Sequence, residues 1–188
     1  MTTKLVVDTS SIMYYFRYYY FDRDNGNIIY DKLNGFLFSK VKSKEIMIID
    51  KVYDELDDPE FDKIRKKIKP FVKGSIHLFS NVQTLIKKYY IKSNERFFGN
   101  DHTLINQHIR KCEDRDADLY LIACCLDFIS NGHDAILVTE ENEKDSNYRK
   151  LIKKIPTICK HENIKCQTLP HTIFELYKND LEFVLKIK

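Results

Sequence analysis

The sequence predicts an α/β fold: a three-layer α/β/α sandwich around a central, mainly parallel sheet of four to five strands. Three observations lead there. Short β-branched apolar runs recur along the 188 residues. Segments with apolar residues at helical spacing separate them. No internal repeat or linker divides the chain, so the alternating strands and helices belong to one sheet covered on both faces.

The first strand is Lys4–Val7, ending at Asp8, and Thr9-Ser10-Ser11 are residue types that start helices. Asp24-Asn25-Gly26-Asn27 reads as a turn, and Ile28–Ser43 as a helix, with Ile29, Leu33, Phe36, Leu37 and Val41 on one face. Ile46–Ile49 is the second strand. Asp50 is expected to cap a short helix through Leu56, which Asp57-Asp58-Pro59 stops. Helical periodicity continues through Phe61–Val72, Val82–Ile91 and Leu104–Ile109. Asp116-Ala117-Asp118 opens an apolar helix, Leu119–Ile129, closed by Asn131-Gly132. Ala135–Val138 is the third strand, Tyr148–Ile158 a helix, Ile164–Thr168 the fourth strand and Ile173–Val184 the closing helix.

Composition narrows the function. With 43% hydrophobic and 31% charged residues and only 5 Gly and 4 Pro, disordered and collagenous classes are excluded. No apolar run approaches the roughly 20 residues that span a bilayer, and no signal-peptide layout opens the chain. A soluble cytoplasmic protein without a membrane partner is expected. Cys112, Cys124, Cys125, Cys159 and Cys166 form no CxxC pair, so buried reduced thiols are expected rather than disulfides or a zinc ribbon. The net charge of +3 is too balanced for a protein that coats nucleic acid. Lys outnumbers Arg 24 to 7, which favours sequence-tolerant phosphate contacts.

Ligands of open parallel sheets bind beyond the carboxyl ends of the strands. Four acids fall at or just after expected strand ends or helix starts: Asp8 closes the first strand, Glu55 lies six residues beyond Ile49, Asp118 starts the apolar helix, and Glu141 follows the third strand. Convergence would make an oxygen-only set suited to hard cations such as Mg²⁺ or Mn²⁺. Repulsion within it would call for a bound cation or raised pKa values.

Leu5-Val6-Val7-Asp8-Thr9-Ser10, Glu55, Asp118-Leu119-Tyr120-Leu121-Ile122-Ala123 and Ile136-Leu137-Val138-Thr139-Glu140-Glu141 occur in the order of the PIN domain, which the chain resembles over most of its length. The resemblance implies a PIN-like nuclease, related to the toxin ribonucleases of toxin–antitoxin systems. Asp8, Glu55, Asp118 and Glu141 would hold the metal, and Ser10 and Thr139 would orient carboxylate or water. Glu141 stands where the family usually has Asp, so Glu140 and Asp145 compete for the fourth position, as Asp116 competes with Asp118. The number of metals, one or two, stays open. The expected chemistry is hydrolysis of RNA by activated water, without a covalent intermediate. The implied layout is a single domain, 1–188, with a helical insertion at about 57–115. RNA is the implied substrate, and an antitoxin protein and a second copy of the chain are the implied protein partners.

Lys153 and Lys154 are candidates for touching substrate phosphate. The aromatic run Tyr14–Phe21 offers rings for stacking on bases or for the core. Lys63–Lys69 offers either phosphate steering or a solvated helix face. His77, His102, His108, His133, His161 and His171 show no ligand spacing and receive no role. A catalytically inactive PIN-like RNA-binding or scaffold protein is the alternative. A phosphotransfer domain accepting on Asp8 is disfavoured, because Asp8-Thr9-Ser10 lacks a second Asp.

Overall fold

The computed structural model describes residues 3–19, 28–114, 116–142 and 151–185. Four strands form one sheet: β1 (Thr3–Val7), β2 (Ile46–Met47), β3 (Asp134–Val138) and β4 (Lys165–Gln167), in the order β2-β1-β3-β4. Every pairing is parallel, with Leu5 opposite Ile46 and Ile136, and Val138 opposite Val7 and Gln167. The runs Leu5-Val6-Val7 and Ile136-Leu137-Val138 are buried along their length, as central parallel strands covered on both faces require.

The helices are α1 (Thr9–Tyr19), α2 (Ile28–Lys42), α3 (Asp50–Glu55), α4 (Asp62–Ile68), α5 (Phe79–Tyr89), α6 (His102–Asp114), α7 (Ala117–Ser130), α8 (Ile155–His161) and α9 (Leu169–Leu185). α7 is the central one: it packs on β1 and β3, with α3, α5, α6 and α8 around it, and α2 and α9 pack together elsewhere on the sheet. Ala117 and every residue from Leu119 to Cys125 are buried, so α7 is apolar nearly all round, as a helix in the middle of a layer must be. Its end is a Schellman motif. Gly132, at φ 79°, supplies the left-handed residue, and the N–H of His133 reaches the carbonyl of Phe128 at 3.0 Å. The three-layer α/β architecture with a parallel sheet is thus the fold of the chain.

Several elements differ from expectation for local reasons. The helix expected over Tyr148–Ile158 instead begins at Ile155. Pro156 sits in its first turn, where a missing N–H costs nothing, whereas mid-helix it would break the ladder. Ile152 forms an antiparallel bridge with Tyr90, and residues 143–150 lie outside the described set. The stretch Phe61–Val72 is α4 between two 3₁₀ turns, Pro59–Phe61 and Lys69–Phe71, each with a proline near its start. Ile49, expected in the second strand, instead bridges Lys73, which adds a strand-like edge from the 57–115 region. Asp50 is the first residue of α3 rather than its cap, and its carboxylate accepts from Ser75 Oγ and from the Ser75 N–H. α6 runs longer than Leu104–Ile109, and α9 begins four residues before Ile173, with Pro170 in its first turn.

None of the five cysteines is in a disulfide, and four of them are buried. In the aromatic run Tyr15 is buried, its hydroxyl donating to Asn34 at 2.6 Å, while Tyr14 is exposed; the side chains of Phe16 and of residues 18–21 lie outside the described set. In the basic run, Arg65 pairs with Asp57 at 2.7 Å and stacks over Tyr53. Lys67 lies over Phe38, and Ile64 and Ile68 face the core. Much of that run serves the helix and its neighbours. Among the described residues no helix is long and apolar enough to cross a membrane.

Candidate acidic site at the carboxyl ends of β1 and β3

The strand order makes β1 and β3 the switch point of the sheet: from β1 the chain turns to β2 on one side, and from β3 it goes on to β4 on the other. Crossovers leaving in opposite directions open a crevice at the carboxyl ends of these two strands. Asp8 directly follows β1, and its N–H donates to the carbonyl of Val138 at 2.9 Å. Asp8, Thr9, Ser11 and Thr139 supply four of the six buried polar side chains among the described residues. Such burial serves no packing need and marks a built polar site.

Two hydroxyls fasten Asp8 to the turn after β3. Its Oδ2 accepts from Ser10 Oγ at 2.6 Å and from Thr139 Oγ1 at 2.8 Å. Each hydroxyl in turn accepts a backbone N–H, Ser10 from Glu140 at 3.3 Å and Thr139 from Glu141 at 3.1 Å. Ser10 and Thr139 therefore tie Asp8 and the Glu140-Glu141 turn together.

Glu55, in the last turn of α3, joins two helix starts. Thr9 Oγ1 donates to its Oε2 at 2.5 Å, and the N–H of Ala117 donates to its Oε1 at 3.1 Å. A carboxylate at that position also meets the positive end of α7. Asp116 is the N-cap of α7, accepting from the Asp118 N–H at 3.1 Å, and Asp118 stands half-buried in the first turn. Asp116→Ala removes this cap and is expected to cost about 1 kcal/mol. A denaturation midpoint unchanged from wild type would contradict that role.

Burial pushes the Asp8 carboxyl above the ordinary aspartate range; the Ser10 and Thr139 hydroxyls and the Thr9 N–H oppose the rise, and the nearby Glu141 charge adds to it. Burial likewise raises Glu55, against the bonds from Thr9 and Ala117, with Asp116 and Asp8 adding repulsion. Asp8, Glu55, Glu141 and Asp116 therefore share one electrostatic neighbourhood. Glu140 is turned elsewhere: its Oε1 accepts from Ser11 Oγ at 3.3 Å and from the Leu169 N–H at 3.0 Å, at the start of α9. Asp145 lies outside the described residues. Lys153 is placed over the Tyr89 ring, 6.0 Å from its centroid, and Lys154 is the residue preceding α8.

The raised value at Asp8 has a sign that can be tested in chelator. Between an aspartate's ordinary pKa and the higher folded one, the folded state holds a proton that the unfolded chain has released. Asp8's favourable contribution is therefore complete below the ordinary value and is lost as pH rises through the folded value. Asp8→Asn should gain melting temperature relative to wild type as pH is raised from about 4 to 7. Parallel pH profiles for the two proteins would refute the raised value.

The donor set suits a hard cation. It is oxygen-only, and its anions repel one another until something neutralises them. Among the described residues no group of three or more His, Cys, Asp or Glu side chains is already arranged as a ligand cage. Mg²⁺ does not require one, since it keeps several waters and binds through one or two carboxylates plus substrate phosphate. Thr9 and Ser11, which bond Glu55 and Glu140, were legible only as helix-starting residue types; their partners lie 46 and 129 residues away.

No curated protein and no solved structure matches this chain. A family described as a domain of unknown function, DUF4411, matches residues 5–178, which takes in Leu5–Val7 of β1, all of α7 and β3, and every acid described above. The chain belongs to the DUF4411 family.

Proposed function

We propose that this chain is a Mg²⁺- or Mn²⁺-dependent endoribonuclease that hydrolyses phosphodiester bonds of single-stranded RNA at the β1/β3 acids. The observation that carries this reading is Asp8 itself. It is an aspartate 5% exposed, fastened by two hydroxyls at the switch point of a parallel sheet and facing the charge of Glu141. The order of the motifs, which resembles that of PIN nucleases, supports the same reading.

Asp8, Glu55, Asp118 and Glu141 would hold the cation, with Asp116 placed to support Asp118 through its backbone. When bound, such a cation polarises the phosphodiester oxygens and lowers the pKa of water. Ser10 and Thr139 keep the Asp8 carboxylate at a fixed angle, so that the phosphate meets a preorganised site. Thr9 and the α7 N-terminus do the same for Glu55. The cluster is acidic, so the scissile phosphate itself would be held there only through a cation, and activity should vanish with chelator. On this reading the protein works in the cytoplasm, with RNA as substrate, and an antitoxin and a second copy of the chain are its candidate protein partners.

The test is incubation of purified protein with pooled single-stranded RNA in Mn²⁺, in Mg²⁺ and in chelator. Cleavage in either metal, abolished by chelator, is expected. Folded protein that cuts nothing in either metal would reject hydrolysis and favour the catalytically inactive RNA-binding or scaffold role.

A further inference from the structure

An open cavity of about 700 Å³ lies at the carboxyl ends of β3 and β4, beside the acids rather than among them. Thr139 and Glu141 form one wall; Lys160 of α8, Gln167 and Thr168 at the end of β4, and His171 in the first turn of α9 line the rest. We infer that this cavity is a nucleoside subsite, taking the nucleotide next to the scissile phosphate, with Lys160 and His171 toward that nucleotide's outer phosphate. The inference rests on the ribonuclease reading and deepens it.

Three features support the assignment. The volume falls within the roughly 300–1,000 Å³ of small-ligand pockets. Thr139 and Glu141 belong to the cavity and to the acidic cluster at once, so a phosphate held at the acids continues directly into it. Pro156, Ile164 and Cys166 give the cavity an apolar portion against which a base can pack, while Lys160 and His171, from two different helices, supply N–H donors. The Gln167 Nε2 amide donates to Glu175 at 2.7 Å, which fixes that side chain in the wall. His171 also lies 3.7 Å from Glu175.

The experiment uses the full chain and a short fluorescent single-stranded RNA. Binding is followed by anisotropy in chelator, and KM and kcat are measured in Mn²⁺. Lys160→Ala removes a cation and Thr168→Trp fills the cavity; both positions are exposed, and circular dichroism checks each fold. Each change is expected to weaken binding and raise KM about tenfold with kcat within about twofold, the pattern of lost uniform binding. His171→Ala should have the same direction and a smaller size. If wild type cuts RNA and both variants bind and cut as it does, the subsite is overturned and the nuclease stands. If wild type binds but does not cut, and the variants bind more weakly, the cavity is supported as an RNA subsite and hydrolysis falls. If wild type neither binds nor cuts, both are overturned. Should Thr168→Trp fail to fold, Lys160→Ala decides.

Discussion

Asp8→Asn is expected to lower metal-dependent RNA cleavage by about a thousandfold or more while leaving the fold intact. Both hydroxyl bonds to Asp8 go to one oxygen, Oδ2, and an asparagine carbonyl can accept both from Ser10 and Thr139. What the substitution removes is a negative charge. That charge is costly in the metal-free protein, where burial and Glu141 work against it, so the variant should melt no lower than wild type in chelator at neutral pH. A folded, fully active Asp8→Asn protein would remove Asp8 from the chemistry. A variant that melted well below wild type would mean that the carboxylate is a structural acceptor instead.

The second large effect concerns α7, the helix whose first turn carries Asp118. Leu121 is fully buried in α7, which packs on β1 and β3 and is surrounded by α3, α5, α6 and α8. Neighbours on every side leave little room to collapse into the space that truncation would create. Leu121→Ala should therefore cost about 3 kcal/mol and lower the melting temperature by roughly 6–12 °C. Leu104→Ala, on the exposed side of α6, should cost less than about 0.5 kcal/mol. Equal losses at the two positions would contradict the central placement of α7.

Much of the sheet could be read directly. Leu5-Val6-Val7 and Ile136-Leu137-Val138 are short apolar runs flanked by polar residues, and parallel strands buried on both faces are written in that way. α7 was equally plain, because its start and end carry their own chemistry: Asp116 as cap and Gly132 at positive φ. The region 57–115 was less legible. Its apolar periodicity was visible, but prolines at 59 and 70 cut it into 3₁₀ turns around α4, and the Ile49–Lys73 bridge joins residues with no shared pattern. Pro156 carried a signal that overrides helical periodicity, since a proline belongs in a first turn and not in a helix interior.

At the site, residue types were legible and their pairings were not. Asp8 and Thr139 could be named from the ends of two strands, yet their hydrogen bond spans 131 residues and depends on the β1–β3 register. Glu140 and Glu141 are adjacent and chemically alike; only the fold turns the first toward the start of α9 and brings the charge of the second to bear on Asp8. Lys160 and His171 gave no sequence signal, because the cavity they line forms only when α8, β4 and the start of α9 come together.

The central claim is that the acids at the carboxyl ends of β1 and β3 hold a divalent cation for hydrolysis of RNA. Its most direct measurement is a Mn²⁺ titration followed by electron paramagnetic resonance, in which bound Mn²⁺ disappears from the free-ion signal. Wild-type protein is expected to deplete the free signal stoichiometrically, Mg²⁺ to compete it back, and Asp8→Asn with Asp118→Asn to leave it at the level of buffer. A wild-type protein that depletes no more Mn²⁺ than the double variant would contradict the claim.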